Sequence, residues 1–537
     1  MRTLRLLACA TMLVPATALG QAVPGSPTDL LVGHPREARP VPRREAPTPD
    51  RVVTVPDQVA SAGTVKGVVF DGVDPPAKVA RAGQPFLGKP ITLETIQGLA
   101  RSLSDAYGES SIALFTVSVP AQNFGGGIVH VRIVEGYIER TLLAGDTDEE
   151  SIALVKSYAA AMTGKRPLAK RTLQRYLSLI RDIPGLTADA QLVPGQGEGA
   201  VRLVLTLKQK DTDVALSYNN LTQRALADGQ FQAAAKLYGG LRAGDITSLT
   251  LSSATDFKAF RYAGLSHATP LGDGALLSAA YGRLSTRSRG LDLRGNADVA
   301  SVGVSYPLIR GYERNVTLGA TLDGVNSDNA VLGALVTRER TRAFRLTAAL
   351  SEAKGKHAVS ASLIGAQGLD ILGADSALTA NDLGFTKLGA SISAAQGIGD
   401  DFAVRLDTAA QLSASPLPSV ERFLIGGDHF GRAFPVATLA GDQGTAASLE
   451  LAWQPLKSKA FGASELYVFG DRAAVKYHGR GPFAGQSFNL ASAGAGIKLA
   501  FRNKGMVRAE LARRVDQPFP SDDKWQVNVA WRLSLGR

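Results

Sequence analysis

The chain has 537 residues, 45% of them hydrophobic, with 57 glycines and a net charge of +11. Beyond its N-terminus no apolar run approaches the roughly 18 residues a membrane-spanning helix needs, and the excess Lys and Arg are too thinly spread for a nucleic-acid surface. The single cysteine, Cys9, falls in a segment expected to be removed, which leaves no disulfide, thiolate metal site or cysteine nucleophile.

Residues 1–20 read as a secretory signal. Arg2 and Arg5 supply the positive start, Leu6 to Pro15 the apolar stretch, and Ala18-Leu19-Gly20 the small residues before a cleavage between Gly20 and Gln21. Leu6-Leu7-Ala8-Cys9 imitates a lipoprotein box, but almost no apolar run precedes the cysteine. Residues 21–62 carry Pro24, Pro27, Pro35, Pro40, Pro42, Pro47, Pro49 and Pro56 among charged residues, which predicts an extended linker in the periplasm.

Two small α/β units of similar order follow, over 63–136 and 137–210. In the first, Val65 to Val73 reads as a strand and Leu93 to Tyr107 as a helix with Ile96, Leu99, Ala100 and Leu103 on one face. Strands over Ile112 to Val119 and Ile128 to Val134 follow, joined through Asn123-Phe124-Gly125-Gly126-Gly127. In the second, Ile138 to Ala144 reads as a strand, Glu149 to Met162 and Arg171 to Arg181 as helices, and Ala188 to Val193 and Val201 to Leu207 as strands. The turn residues Pro194 to Gly199 join the last two. Such a repeat, roughly 70 residues long, exceeds a solenoid unit and predicts tandem globular modules.

From 211 to 537 the pattern changes to about 16 alternating segments separated by Gly, Asp, Asn and Pro clusters. In the last one, Trp525, Val527, Val529, Trp531, Leu533 and Leu535 share a face opposite Gln526, Asn528, Arg532 and Ser534. Alternation alone fits a soluble sandwich or a membrane barrel. The export signal, the strand number and the lack of large apolar residues on the second face favour an antiparallel transmembrane barrel.

One stretch interrupts the strands: Gly426-Gly427-Asp428-His429-Phe430-Gly431-Arg432-Ala433-Phe434-Pro435, then Gly441-Asp442-Gln443-Gly444. A charge such as Arg432 in a partly dry lumen needs a partner. Alternation resumes at once, with Leu449, Leu451 and Trp453 opposite Ser448, Glu450 and Ala452. Enzyme signatures are weak. The six histidines lack metal-ligand spacing, and no G-x-S-x-G elbow or phosphate-binding G-x-x-x-x-G-K-[ST] loop occurs. Gly195 to Gly199 is a turn, and His429 reads as a solvated loop residue. The pattern points to transport, with no metal and no cofactor.

Four motifs in order resemble the outer-membrane transporters of two-partner secretion, the haemolysin and haemagglutinin secretion-activation type within the Omp85 superfamily. Pro120-Ala121-Gln122 with Val134-Glu135-Gly136-Tyr137-Ile138 resembles the junction between the family's two POTRA modules. Asp182-Ile183-Pro184-Gly185-Leu186 followed by Gly199-Ala200 resembles the second module. Gly426 to Gly444 resembles the loop that folds back into the barrel, and Phe469-Gly470-Asp471 the strand motif that receives it. Two positions depart from the family pattern. Ala433 stands where the family has Gly after the loop Arg, and Ala473 stands two places after the Asp. Alanine resists positive φ, so a different turn is expected at the tip.

The resemblance implies α+β POTRA modules before an all-β barrel, with a lock formed by Arg432, Phe434, Phe469 and Asp471. In it Arg432 meets Asp471 bidentately, and Gly426, Gly427, Gly431, Gly441, Asp442 and Gly444 shape the loop. It implies export of an unfolded, adhesin- or haemolysin-like β-helical exoprotein across the outer membrane without nucleotide. The modules would take an extended cargo segment by β-augmentation. The alternatives are an Omp85-type insertase, which usually has more modules, and a diffusion porin, which has none. For the family's N-terminal plug helix the sequence offers only a short stretch at Asp29 to Val32.

Overall fold

The computed structural model describes residues 53–56, 59, 63–146, 148–222, 226–288, 293–331, 334–376, 381–456, 460–461, 464–501 and 504–535. The signal, the Gly20–Gln21 cleavage site and the plug candidate at Asp29 to Val32 lie outside the described residues. The chain divides into two compact units, one essentially of residues 44–209 and one holding the barrel.

The N-terminal unit holds two sheets. In the first, helix Leu93–Gly108 starts where the Thr92 hydroxyl accepts the Thr95 N–H at 3.1 Å, a side-chain cap for a donor the helix cannot satisfy itself. Its Ile96, Leu99, Ala100, Leu103 and Tyr107 are buried at helical spacing against Val129, Val131 and Ile133 of strand Ile128–Glu135. That strand pairs in parallel with Gly67–Asp71 and antiparallel with Phe115–Ser118. A helix at Ala77–Ala82 is also present, too short to register as a periodic pattern.

The strand expected from Ile112 starts only at Phe115. Ile112 to Leu114 turn instead toward the second module, where Ala113 N–H reaches Leu168 O at 2.8 Å and Leu114 O accepts Gly136 N–H at 2.8 Å. The segment read as linker also contributes a short strand: Val53–Thr54 runs parallel to Phe115–Ser118. In the second module Tyr137–Asp146 pairs in parallel with Ala200–Gln209, which pairs antiparallel with Leu186–Pro194. Helix Glu149–Ala160 is capped by Asp148, whose carboxylate takes the Ser151 N–H at 2.6 Å. Helix Lys170–Asp182 brings Leu173, Leu177 and Ile180 onto Leu203, Leu205 and Leu207.

The second unit is a closed barrel of sixteen antiparallel strands, with a two-residue strand Asp375–Ser376 beside them. It closes where Trp525–Ser534 pairs with Thr212–Asn219, Trp531 opposite Tyr218. The two faces of each strand decide between barrel and sandwich. Leu249, Leu251, Leu265, Leu449, Leu451, Val468 and Val527 are 43–56% exposed on the outside, whereas Ser448, Asp471 and Asn528 are buried inside. An apolar coat of this extent is not stable in water, and a bilayer solvates it. Exposed rings gather at the strand ends beside the short turns, where Phe402 stacks on Trp453 at 6.4 Å and Phe461 meets Phe501 at 5.5 Å. Such girdles mark a membrane–water boundary.

Leu449→Arg, at the middle of its strand on the outer face, should destabilise the barrel by about 2–4 kcal/mol in lipid. Denaturant unfolding from bilayers measures it. An unchanged midpoint would mean that this face does not meet hydrocarbon.

Candidate functional site

Strands Phe402–Ser413 and Gln443–Trp453 are neighbours in the barrel wall, and the chain between them, residues 414–442, folds into the lumen. Its hairpin, Phe423–Ile425 paired with Leu439–Gly441, projects a tip at Gly426 to Pro435. Inward-facing side chains hold this loop at three places.

At the tip, Gly426 N–H donates to Phe430 O at 2.8 Å and Gly427 N–H to Gly431 O at 3.2 Å. Both glycines have positive φ, 103° and 104°, in a turn a side chain would strain. Arg432, 8% exposed, extends across the ring of Phe469 with its guanidinium carbon 4.2 Å from the centroid. Its Nη1 donates to Glu450 at 2.9 Å and Glu510 at 3.3 Å, and its Nη2 to Ser448 at 3.2 Å. Asn528 donates to Arg432 O at 2.9 Å, and Arg514 donates to Ala433 O at 3.1 Å while lying over Phe434. Asp428 pairs with Arg508.

The expected ion pair between Arg432 and Asp471 is not made. Asp471 instead accepts the backbone N–H groups of Gly431 at 2.7 Å and Arg432 at 3.4 Å, and the Ser492 hydroxyl at 2.7 Å. Two successive amides and a hydroxyl satisfy this carboxylate, and Glu450 and Glu510 supply the countercharge to the guanidinium. Asp471 thus fixes the loop backbone, and the two glutamates fix the side chain. The alanine at 433 meets no conflict, because the positive φ angles of the loop fall at Gly426, Gly427, Gly431 and Ala437. Ala473 lies on the inner face of a regular strand, opposite Ala446.

At the neck, the short turn Ser419–Glu421 places the Glu421 carboxylate out of reach of solvent. Arg345 grips it through Nη2 at 2.6 Å and Nη1 at 3.1 Å, and grips Asp323 through Nε at 2.6 Å and Nη2 at 3.0 Å. Lys387 completes the group at 2.7 Å from Glu421. Two cations and two carboxylates balance. Nearby, Glu339 accepts the Ser419 N–H at 3.0 Å and the Asn381 amide at 2.7 Å.

At the exit, Asp442 accepts Arg480 at 2.6 Å, the Leu417 N–H at 2.7 Å and the His478 N–H at 2.7 Å. It therefore ties the start of the loop to its end and to the wall. Gly444 leaves room for Phe423, whose ring atom would stand 2.1 Å from a Cβ there, and Gly441 lies against Val475. Of the residues expected at the site, Arg432, Phe434, Phe469, Asp471, Gly426, Gly427 and Gly431 meet at the tip, whereas Gly441, Asp442 and Gly444 form the exit.

Sequence reading missed Glu421, Arg345, Asp323, Lys387, Glu510 and Arg480. For Arg345, Asp323, Lys387 and Glu510 the one available signal was a charge on the polar face of an alternating strand, which carries no partner. Glu421 lies in a turn and Arg480 between strands, where not even that signal exists.

Breaking a buried charge pair from one side costs about 3–5 kcal/mol, because the remaining charge stays buried. Arg432→Ala should therefore loosen the tip and raise the open probability of the barrel in planar bilayers. Unchanged conductance would show that Arg432 does not restrain the loop.

The family model of the haemolysin secretion/activation protein ShlB/FhaC/HecB matches residues 197–499, and that of the ShlB-type POTRA domain matches residues 63–136. The heme/hemopexin transporter protein HuxB of Haemophilus influenzae is 20% identical over 460 residues, covering 82% of this chain and 81% of its own. Among solved structures, CdiB from Escherichia coli superposes with a TM-score of 0.71 at 18% identity, over 93% of this chain and 94% of its own. BamA from Haemophilus ducreyi lacking POTRA domains 1-3 gives 0.53 at 13% identity, over 89% and 100%. These likenesses concern the fold.

Proposed function

Because the chain belongs to the haemolysin secretion/activation family of ShlB, FhaC and HecB, we propose that its inward loop controls the passage of one unfolded exoprotein through the barrel. The protein is an outer-membrane transporter of two-partner secretion, with its POTRA region in the periplasm and a secreted exoprotein as partner. The observation that carries the proposal is the anchoring of residues 414–442 inside a closed barrel by buried charges from several strands.

In this reading residues 1–20 are the signal, cleaved between Gly20 and Gln21, and 21–62 the linker. Residues 63–136 and 137–210 are the two POTRA modules, and 211–537 the barrel. The cargo, an adhesin- or haemolysin-like chain with a β-helical stalk, meets the modules first as an extended strand. The loop follows the eleventh barrel strand, so it starts from the end opposite to where the first strand enters from the periplasm. It fills the lumen from the cell-surface side. Passage requires its tip to leave Glu450, Glu510 and Asp471. No nucleotide, cofactor or catalytic step takes part; folding outside keeps the product from returning. Two modules suit secretion better than the insertase role of relatives with more.

The experiment compares the culture medium of cells with and without the chain, and with Arg432→Ala. A polypeptide that appears in the medium only when the chain is present is the expected result. Its loss with Arg432→Ala, despite the loosened tip, would show that the anchored state of the loop is itself a step of the working cycle. Unaltered secretion together with failed assembly of other barrels would replace this reading with the insertase.

A further inference from the structure

The two modules share one order of pairing but differ at one edge. In each, a central strand (Ile128–Glu135, Ala200–Gln209) pairs in parallel with the first strand and antiparallel with a third. The third strands are Phe115–Ser118 and Leu186–Pro194. In the first module that outer edge is occupied. Val53–Thr54 runs parallel to it, Val53 opposite Val117 and Thr54 opposite Ser118, and Thr54 O accepts the Val119 N–H at 2.9 Å. Val55 and Val59 pack on the same core. This added strand lies upstream of the stretch, 63–136, that matches the POTRA domain. It is a piece of linker serving as a fourth strand.

In the second module, the outer edge of Leu186–Pro194 has no strand beside it among the described residues. It is also longer, nine residues against four. Leu186 and Ala190 are buried against the core while Thr187, Asp189 and Gln191 stay exposed, a regular alternation that an incoming strand can extend. The remaining outer edges are less suitable. A register shift between Ile138 and Arg140, with Thr163 bridged to Ile138, interrupts the edge of Tyr137–Asp146. In the first module Lys89 and Gly88 are hydrogen-bonded to Val65, directly before Gly67–Asp71.

We infer that an extended, β-prone segment of the exported chain docks on the Leu186–Pro194 edge of the second module, and that Val53–Thr54 is a resident strand closing the equivalent edge of the first. The first module itself demonstrates the binding mode, since an extended segment from outside the module already completes its sheet. Docking on the second edge displaces nothing and offers more backbone groups. The inference rests on the β-augmentation reading above and assigns it a strand.

The test uses the full chain in cells secreting the polypeptide whose export depends on it. A photo-reactive residue replaces Gln191 in one variant and Thr116 in another. A third variant, Thr54→Cys with Ser118→Cys, pins the resident strand by a disulfide and is assayed with and without reductant. Cross-links to the secreted polypeptide from position 191 and none from 116, with undiminished secretion by the pinned chain, are expected. Cross-links from 116, or secretion that stops on pinning and returns with reductant, would overturn the assignment. Sustained secretion without cross-links from either edge would sink β-augmentation itself, while leaving the transporter function intact.

Discussion

A charge buried between an inward-folded loop and the barrel wall has to meet its counter-charge there, because the outer wall faces hydrocarbon and the contact itself is closed to solvent. Arg345, Glu421, Arg432, Glu510 and Asp442 all have side chains less than a tenth exposed, and each is paired across the boundary between loop and wall. The loop is therefore part of the charge balance of the lumen. Glu421 brings a negative charge to the wall of Arg345 and Lys387. Arg432 brings a positive one to the wall of Glu450 and Glu510. The two contacts have opposite sign and lie on different strands, so the loop is held in orientation as well as in place.

Buried ion pairs of this kind are weak evidence for stability, since desolvation offsets much of their attraction. Their stronger consequence is specificity of arrangement. A loop displaced outward would leave Arg345 with Asp323 still beside it, whereas Glu450 would keep Arg405 at 2.6 Å. The wall thus carries partial replacements for the loop at both contacts. Asp471 differs: besides Ser492, its partners are backbone amides of the loop. That contact is lost outright when the tip moves.

The periplasmic modules obey a different constraint. A sheet edge presents unpaired backbone groups, and a protein must pair, cover or expose them. The first module pairs one edge with residues from its own linker, while the corresponding edge of the second stays open among the described residues. Recognition by strand addition needs an open edge, which makes the difference between two similar modules a difference in availability.

The sequence by itself determined the order of the longer elements and, in strands such as Gln443–Trp453, Glu465–Tyr477 and Trp525–Ser534, which face is polar, because these are local properties written in periods of two and 3.6 residues. The helix at Leu93–Gly108, the alternation of Glu465–Tyr477 and the position of the Gly-rich loop all read directly from neighbouring residues. Only the tertiary structure decided which charges meet. Arg432 and Asp471 share a locality without sharing an ion pair, because the guanidinium reaches past Phe469 to strands whose distance depends on barrel closure. Glu421 and Arg345, 76 residues apart, carry no local mark of their pairing. Val53–Thr54 likewise lacked a strand's length, and becomes one only because an edge was there to receive it. Periodicity is a property of the chain; pairing across a lumen or along an edge is a property of the closed fold.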